Sequence, residues 1–301
     1  MAKFGKWIIL FLTIGIVLLE LILRFAFGFC DTVLIQEDKS FEYIAQPNQN
    51  RYRFGNHISY NSFSMRSPEV NEQNKIILGF GDSVLNGGVL TDQDVLATTI
   101  LSKELSKFYN HNTQFLNISA GSWGLDNCYA YLQKFGNFDA EKIYLIVSSH
   151  DAYDNMDFRS IVGLNPSFPR EQYKLAIFEL LDRYLIPRLG LRLSKSEELG
   201  ISKKKADSKF NSGFSSFYEY GRNNGIPIII YLHADRNELD NDNYNSEGQK
   251  IIQFANQNKI PLIQDLHNGL LKSHFRDDIH LNKEGQKLIV QLIMEFESNK
   301  L

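Results

Sequence analysis

From Lys75 onward the sequence alternates between short apolar runs and segments of helical periodicity, and this alternation leaves few architectures open. Lys75–Gly81 (KIILGFG), Gln114–Ala120, Lys142–Ser148 (KIYLIVS), Ile226–Leu232 (IPIIIYL) and Ile260–Leu266 read as buried strands. Asp94–Tyr109, Asp126–Phe135, Lys209–Asn223, Ser246–Asn258 and Lys283–Ser298 read as helices. Strands separated by helices form right-handed crossovers and a parallel sheet covered on both faces. The spacing predicts an α/β fold, a flavodoxin-like doubly wound parallel sheet of about five strands. In such a sheet, ligands sit beyond the carboxyl ends of the strands.

The other constraint lies at the amino end. Trp7–Phe29 is 23 residues long, and 18 of them are hydrophobic. As a helix it reaches roughly 34 Å, enough to cross a bilayer core of about 30 Å. The run is longer than a signal-peptide core, and no small-x-small cleavage site follows it. Phe29 before Cys30 also argues against lipoprotein processing. Residues 1–30 are therefore expected to be one uncleaved transmembrane anchor. Lys3 and Lys6 precede it, and Asp31, Glu37 and Asp38 follow it. This bias puts the amino terminus in the cytoplasm and the remainder outside, periplasmic or extracellular. Glu20 and Arg24, at i,i+4, are placed to pair on one face of the helix.

Between anchor and sheet, residues 31–74 read as a polar spacer with a short β element around His57–Ser62. Residues 152–206 are too long for one crossover helix and read as an insertion within the domain at 75–301. Glu171–Leu193 is Leu-rich, with Pro187 and Gly190 interrupting it, and Ser194–Lys205 is charged. A helical layer packed on the domain, a lid and a membrane-facing surface helix are the three readings of it. The chain carries 32 basic and 35 acidic residues, a net charge of −3, which gives no footprint for nucleic acid. Two cysteines, Cys30 and Cys128, cannot build a disulfide framework.

The strand ends carry the chemistry. Gly81-Asp82-Ser83 follows the first strand, Asn117–Gly124 the second, Ser148-Ser149-His150-Asp151 the third, and Asp277-Asp278-Ile279-His280 precedes the last helix. A serine hydroxyl becomes a useful nucleophile when a base takes its proton. Ser83 is the candidate nucleophile, His280 the base, and Asp277 the group that orients the imidazole. Donors for a developing oxyanion are also required.

At these residues the sequence resembles the SGNH, or GDSL-type, hydrolase superfamily over about residues 75–298. Gly81-Asp82-Ser83, with Gly87 four residues on, resembles its first block, and Asp277-x-x-His280 its last. The resemblance implies a Ser83–His280–Asp277 triad working through an acyl-enzyme, without a metal or other cofactor. The second block often reads Asn-x-Gly-x-x-Gly; here Ser122 stands at the final position, with Gly124 nearby. The third usually reads Gly-x-Asn-Asp; here it reads Ser148-Ser149-His150-Asp151, so that His150 takes the place of the asparagine donor. The expected oxyanion hole is therefore Ser83, Ser122, Gly124 and His150. As such a donor, His150 replaced by alanine would lower turnover by about 10²–10³. Asn61 and Arg66 resemble a segment that precedes the first block in some anchored relatives.

The implied function is a membrane-anchored serine esterase acting on acyl esters, an O-acetyl group first among them. The partners are an acylated glycan or lipid and the membrane; oligomeric state is not legible. An O-acyltransferase on an exported glycan, a lipid esterase, and an idle glycan- or partner-binding scaffold are the alternatives. A two-metal hydrolase built on His150, Asp151, His274, Asp277, Asp278 and His280 has the right residue types but leaves Ser83 without a task. His233 reads as a strand-closing residue.

Overall fold

The computed structural model describes residues 2–189 and 209–299. The apolar run forms helix α1 (Ala2–Phe27), of which Phe4–Phe27 is long and apolar enough to be a candidate membrane span. Gly28 turns the chain out of α1 at a positive φ of 68°. A Cβ there would lie 2.0 Å from the carbonyl oxygen of Tyr52, so the close approach of two backbones requires glycine.

The stretch expected as a spacer is folded into two antiparallel hairpins. The first is β1 (Ile35–Asp38) with β2 (Glu42–Ala45), the second β3 (Gln49–Arg53) with β4 (Asn56–Tyr60). Phe41, Tyr43, Ile44 and Met65 enter the main hydrophobic core. Polar composition hid this, because Asn, Gln and Arg side chains here bond to protein partners instead of water. Gln49, for example, both donates to and accepts from the backbone of Leu34.

The sheet domain follows in the expected order. Strand β5 (Lys75–Gly81) leads through α2 (Ser83–Asn86) and α3 (Ala97–Phe108) to β6 (Thr113–Ser119). Helix α4 (Leu125–Phe135) leads to β7 (Lys142–Ser148), and after the insertion, with its helix α5 (Ala176–Leu180), α6 (Ser212–Asn224) leads to β8 (Ile228–His233). Helices α7 (Arg236–Asp240) and α8 (Ser246–Asn258), strand β9 (Leu262–Gln264) and helix α9 (Lys283–Ser298) complete it. The strands are parallel in the order β6-β5-β7-β8-β9, the flavodoxin-like order. Strand β9 is shorter than its apolar run because it is an edge strand, paired only with Ile230–Leu232. The short α7 was not legible as a helix. It is closed by a reciprocal cap, in which Asp235 accepts from the Glu238 N–H while Glu238 accepts from the Asp235 N–H.

Of the insertion, Gly190 and the charged run Ser194–Lys205 lie outside the described residues. Beyond α5 the chain continues as a wide turn over Leu181–Leu185 and a tight one over Pro187–Leu189. Glu20 and Arg24 pair at 2.9 Å, as expected. The Glu20 carboxylate also accepts from the backbone N–H groups of Ala176 (2.8 Å) and Ile177 (3.0 Å), and so caps α5. Arg24 donates to the Lys174 carbonyl, and Leu23, Phe29 and Ala176 form a small separate core.

Candidate active site

Ser83 opens the one-turn helix α2 at the carboxyl end of β5. Asp82 caps that turn, its Oδ1 accepting from the Val84 N–H at 2.8 Å. Gly81 must be glycine for space: a Cβ would fall 2.5 Å from the Ile146 carbonyl of the neighbouring strand. Arg66 fixes the far end of the turn. It is fully buried and donates to the carbonyls of Asn86, Gly88 (2.6 Å) and Thr91 (2.5 Å). Asn61 shapes the approach to Arg66, accepting from the N–H groups of Phe63 and Met65.

Ser83, His280 and Asp277 come together across nearly two hundred residues of chain. His280 Nε2 lies 2.9 Å from Ser83 Oγ, and Nδ1 lies 2.9 Å from Asp277 Oδ2. Partial burial pushes the Asp277 carboxyl up. The N–H groups of His280 and Ile279 and the His280 ring outweigh that and hold it below the usual carboxylate range. An ionised Asp277 accepts only, so Nδ1 carries the proton and Nε2 is left to accept from Ser83.

A second histidine–aspartate pair supports this loop. His233, at the end of β8, lies wholly buried with Nδ1 2.5 Å from Asp265 Oδ2 and Nε2 2.9 Å from the Ile279 carbonyl. Both ring nitrogens face acceptors, so both carry protons. Burial disfavours the charge, but Asp265 outweighs it and the pKa is raised. The sign of the pH effect follows. The unfolded histidine titrates near about 6.5, so the stabilisation is complete below that pH and is lost as pH rises through the higher folded value. Wild-type melting temperature is expected to fall over that alkaline window, with His233→Gln lacking this component. A variant whose pH profile parallels wild type would show that the ring is neutral.

A cavity of about 320 Å³ holds Ser83 and His280. Tyr60, Asn86 and Ser119 form one wall, joined by Asn86 Nδ2 bonding to Tyr60 OH (3.1 Å) and to the Ser119 carbonyl (3.1 Å). Arg53, Arg183 and Arg276 also line it. None of these six was legible as a site residue. Behind the cavity, the sequence marks Asn61 and Arg66.

Two expected oxyanion donors are placed elsewhere. The Gly124 N–H donates to Asn127 Oδ1 at 2.9 Å, closing the start of α4, and so is already engaged. His150 does not line the cavity; its Nε2 stands 3.3 Å from Asp82 Oδ2 and 3.8 Å from Asp151 Oδ1. Burial disfavours its charge, but Asp151 and Asp82 outweigh it, and its pKa is pushed up to about 10. Ser122 is exposed with φ +59°, a conformation that favours glycine. Gly121, the residue before Ser122, lines the cavity. Among the described residues, Asp82, His150 and Asp151 bring possible metal-ligand atoms within 4.8 Å of one another. His274 instead accepts from the Leu271 N–H through Nδ1.

No family model matches the chain, and no curated protein matches it. Several solved structures are similar. TesA shares 13% identity with a TM-score of 0.45, over 75% of this chain and 100% of that one. The lipase/acylhydrolase from Enterococcus faecalis shares 10% identity at 0.44, over 75% and 97%. A two-domain esterase active on acetylated mannans shares 10% at 0.45, over 75% of this chain and 49% of that one.

Proposed function

We propose that this chain is a membrane-anchored serine ester hydrolase of the SGNH type, with residues beyond the anchor outside the cytoplasm. The observation that carries the reading is the chain of contacts from Ser83 Oγ through His280 to Asp277. Ser83 Oγ attacks the acyl carbon as its proton passes to His280 Nε2. The ester C–O bond then breaks, and His280 returns that proton to the departing alcohol oxygen. Water, losing a proton to His280, attacks the acyl-serine; the acid leaves and Ser83 regains its proton. Transfer results if an alcohol replaces the water. Asp277 keeps Nδ1 protonated and stabilises the imidazolium.

The N–H of Ser83, at the start of α2, and the N–H between Gly121 and Ser122 are the proposed oxyanion donors. His150 acts as a positioning residue that holds Asp82, the cap of the nucleophile's helix. His150→Ala is accordingly expected to lower the melting temperature together with kcat, because the buried Asp82 carboxylate loses its cation. A loss of kcat at unchanged melting temperature would return His150 to the oxyanion role. Acetyl esters are the first substrates to offer. The deciding experiment compares wild type with Ser83→Ala on acetyl p-nitrophenyl ester, using the full chain in detergent or nanodiscs.

A further inference from the structure

We propose that residues 175–189 rest on the outer surface of the bilayer and present the Ser83 cavity to it, so that the ester is carried by a membrane-held amphiphile with an anionic head. This rests on the hydrolase reading above and names its substrate class. Leu175, Phe178, Leu185 and Leu189 are 45%, 61%, 39% and 70% exposed. Between them Ala176 and Glu179 are buried, so the segment turns some side chains into the protein and leaves these four bare. A bare apolar stripe of this kind marks a contact surface.

The occupant follows from where the segment is moored. Helix α5 is capped by Glu20 and packs on Leu23, both within the candidate span. At about 1.5 Å per residue, Glu20 lies roughly 10 Å below the end of α1, the depth at which interfacial helices sit. The stripe thus lies beside α1, whose Ile22, Phe25 and Phe27 are also exposed. Lys174 and Arg188, both exposed, bracket it with the positive charge that anionic headgroups attract.

The same segment reaches the cavity. Arg183 and Tyr184 line it, as do Thr32 and Val33, only a few residues past the end of α1. Arg53, Arg183 and Arg276 all face it; two carboxylates are set against them, Glu179 against the first two and Asp277 3.8 Å from Arg276, leaving one cation in excess. That balance favours an anionic group on the alcohol side of the ester.

The test uses the full chain reconstituted in vesicles of phosphatidylcholine and phosphatidylglycerol. Trp7→Phe removes the anchor's fluorophore, and Trp123 is fully buried. In that background Phe178→Trp should be quenched roughly twofold or more by brominated lipids. Lys107→Trp, at the opposite end of the sheet, should be unaffected. Equal behaviour of the two overturns the placement. Phe178→Asp combined with Leu185→Asp should lower kcat/KM about tenfold or more on head-group-acetylated phosphatidylglycerol in the vesicles, leaving p-nitrophenyl acetate unchanged. Loss on both esters, or on neither, overturns the substrate class. A wild type inert toward both would sink the hydrolase reading, while the quenching still decides the placement.

Discussion

Ser83→Ala should reduce kcat/KM on a short acyl ester by roughly 10⁵–10⁶ while leaving the melting temperature within a degree or so of wild type. The size follows from the unit. Without Oγ there is no acyl-enzyme, and His280 has no proton to move. The stability half follows from geometry, because the Oγ contact shown is the one to His280 Nε2. Asp82 and Arg66, which hold α2 in place, keep their partners. His280→Ala should cost about as much, and the double variant little more, because the two act together. Asp277→Asn should cost about 10⁴, since an amide can present its NH₂ to Nδ1 and impose the wrong tautomer. Hydrolysis of acetyl p-nitrophenyl ester and labelling by a fluorophosphonate read the outcome. Equal rates for wild type and Ser83→Ala would remove the enzyme reading.

Glu179→Ala should be the most destabilising single change, at about 3–5 kcal/mol. Its carboxylate is completely buried and takes three donors: Arg53 at 2.6 Å, the Cys30 N–H at 2.6 Å and Arg183 at 3.0 Å. Arg53 is equally buried, donating also to the Gly28 carbonyl and Tyr184 OH, with Phe29 and Phe54 against its guanidinium. Removing the carboxylate leaves that cation without its charge partner. In a domain of this size the cost corresponds to a fall in melting temperature of about 10 °C or more. Thermal unfolding in detergent measures it. Arg53→Met together with Glu179→Leu should recover much of the loss, because two matched apolar side chains leave no buried charge. A Glu179→Ala variant that melts like wild type would mean that water reaches Arg53.

The contrast between these two sites explains what the sequence could convey. The sheet was legible because IILGF and IIIYL carry their burial in unbroken apolar runs. Ser83, Asp277 and His280 were legible because each sits directly at an element boundary, where a short motif and the strand order point to the same place. The Arg53–Glu179 pair was not, since its partners lie 126 residues apart in polar surroundings that resemble surface. Arg66 was marked only through the resemblance, because its partners, three backbone carbonyls and Gln93, leave no trace in side-chain pattern. His150 shows the same limit: its position matched a donor, whereas its nearest charged partners, Asp82 and Asp151, are themselves buried and not visible as partners in the sequence.

The Glu20 cap gives α1 a task that an anchor of the same length and greasiness would not perform. Because the carboxylate must meet the first N–H groups of α5, rotating α1 by one residue, about 100°, would carry it off its target. In the anchored hydrolase proposed above, the helix would therefore set the azimuth and the height of the sheet domain over the membrane. A chimera bearing a generic apolar span would keep the protein at the same address yet let the body swing. Conversely, insertion of a single residue between Glu20 and Gly28 would break the docking while leaving the hydropathy of the span almost untouched.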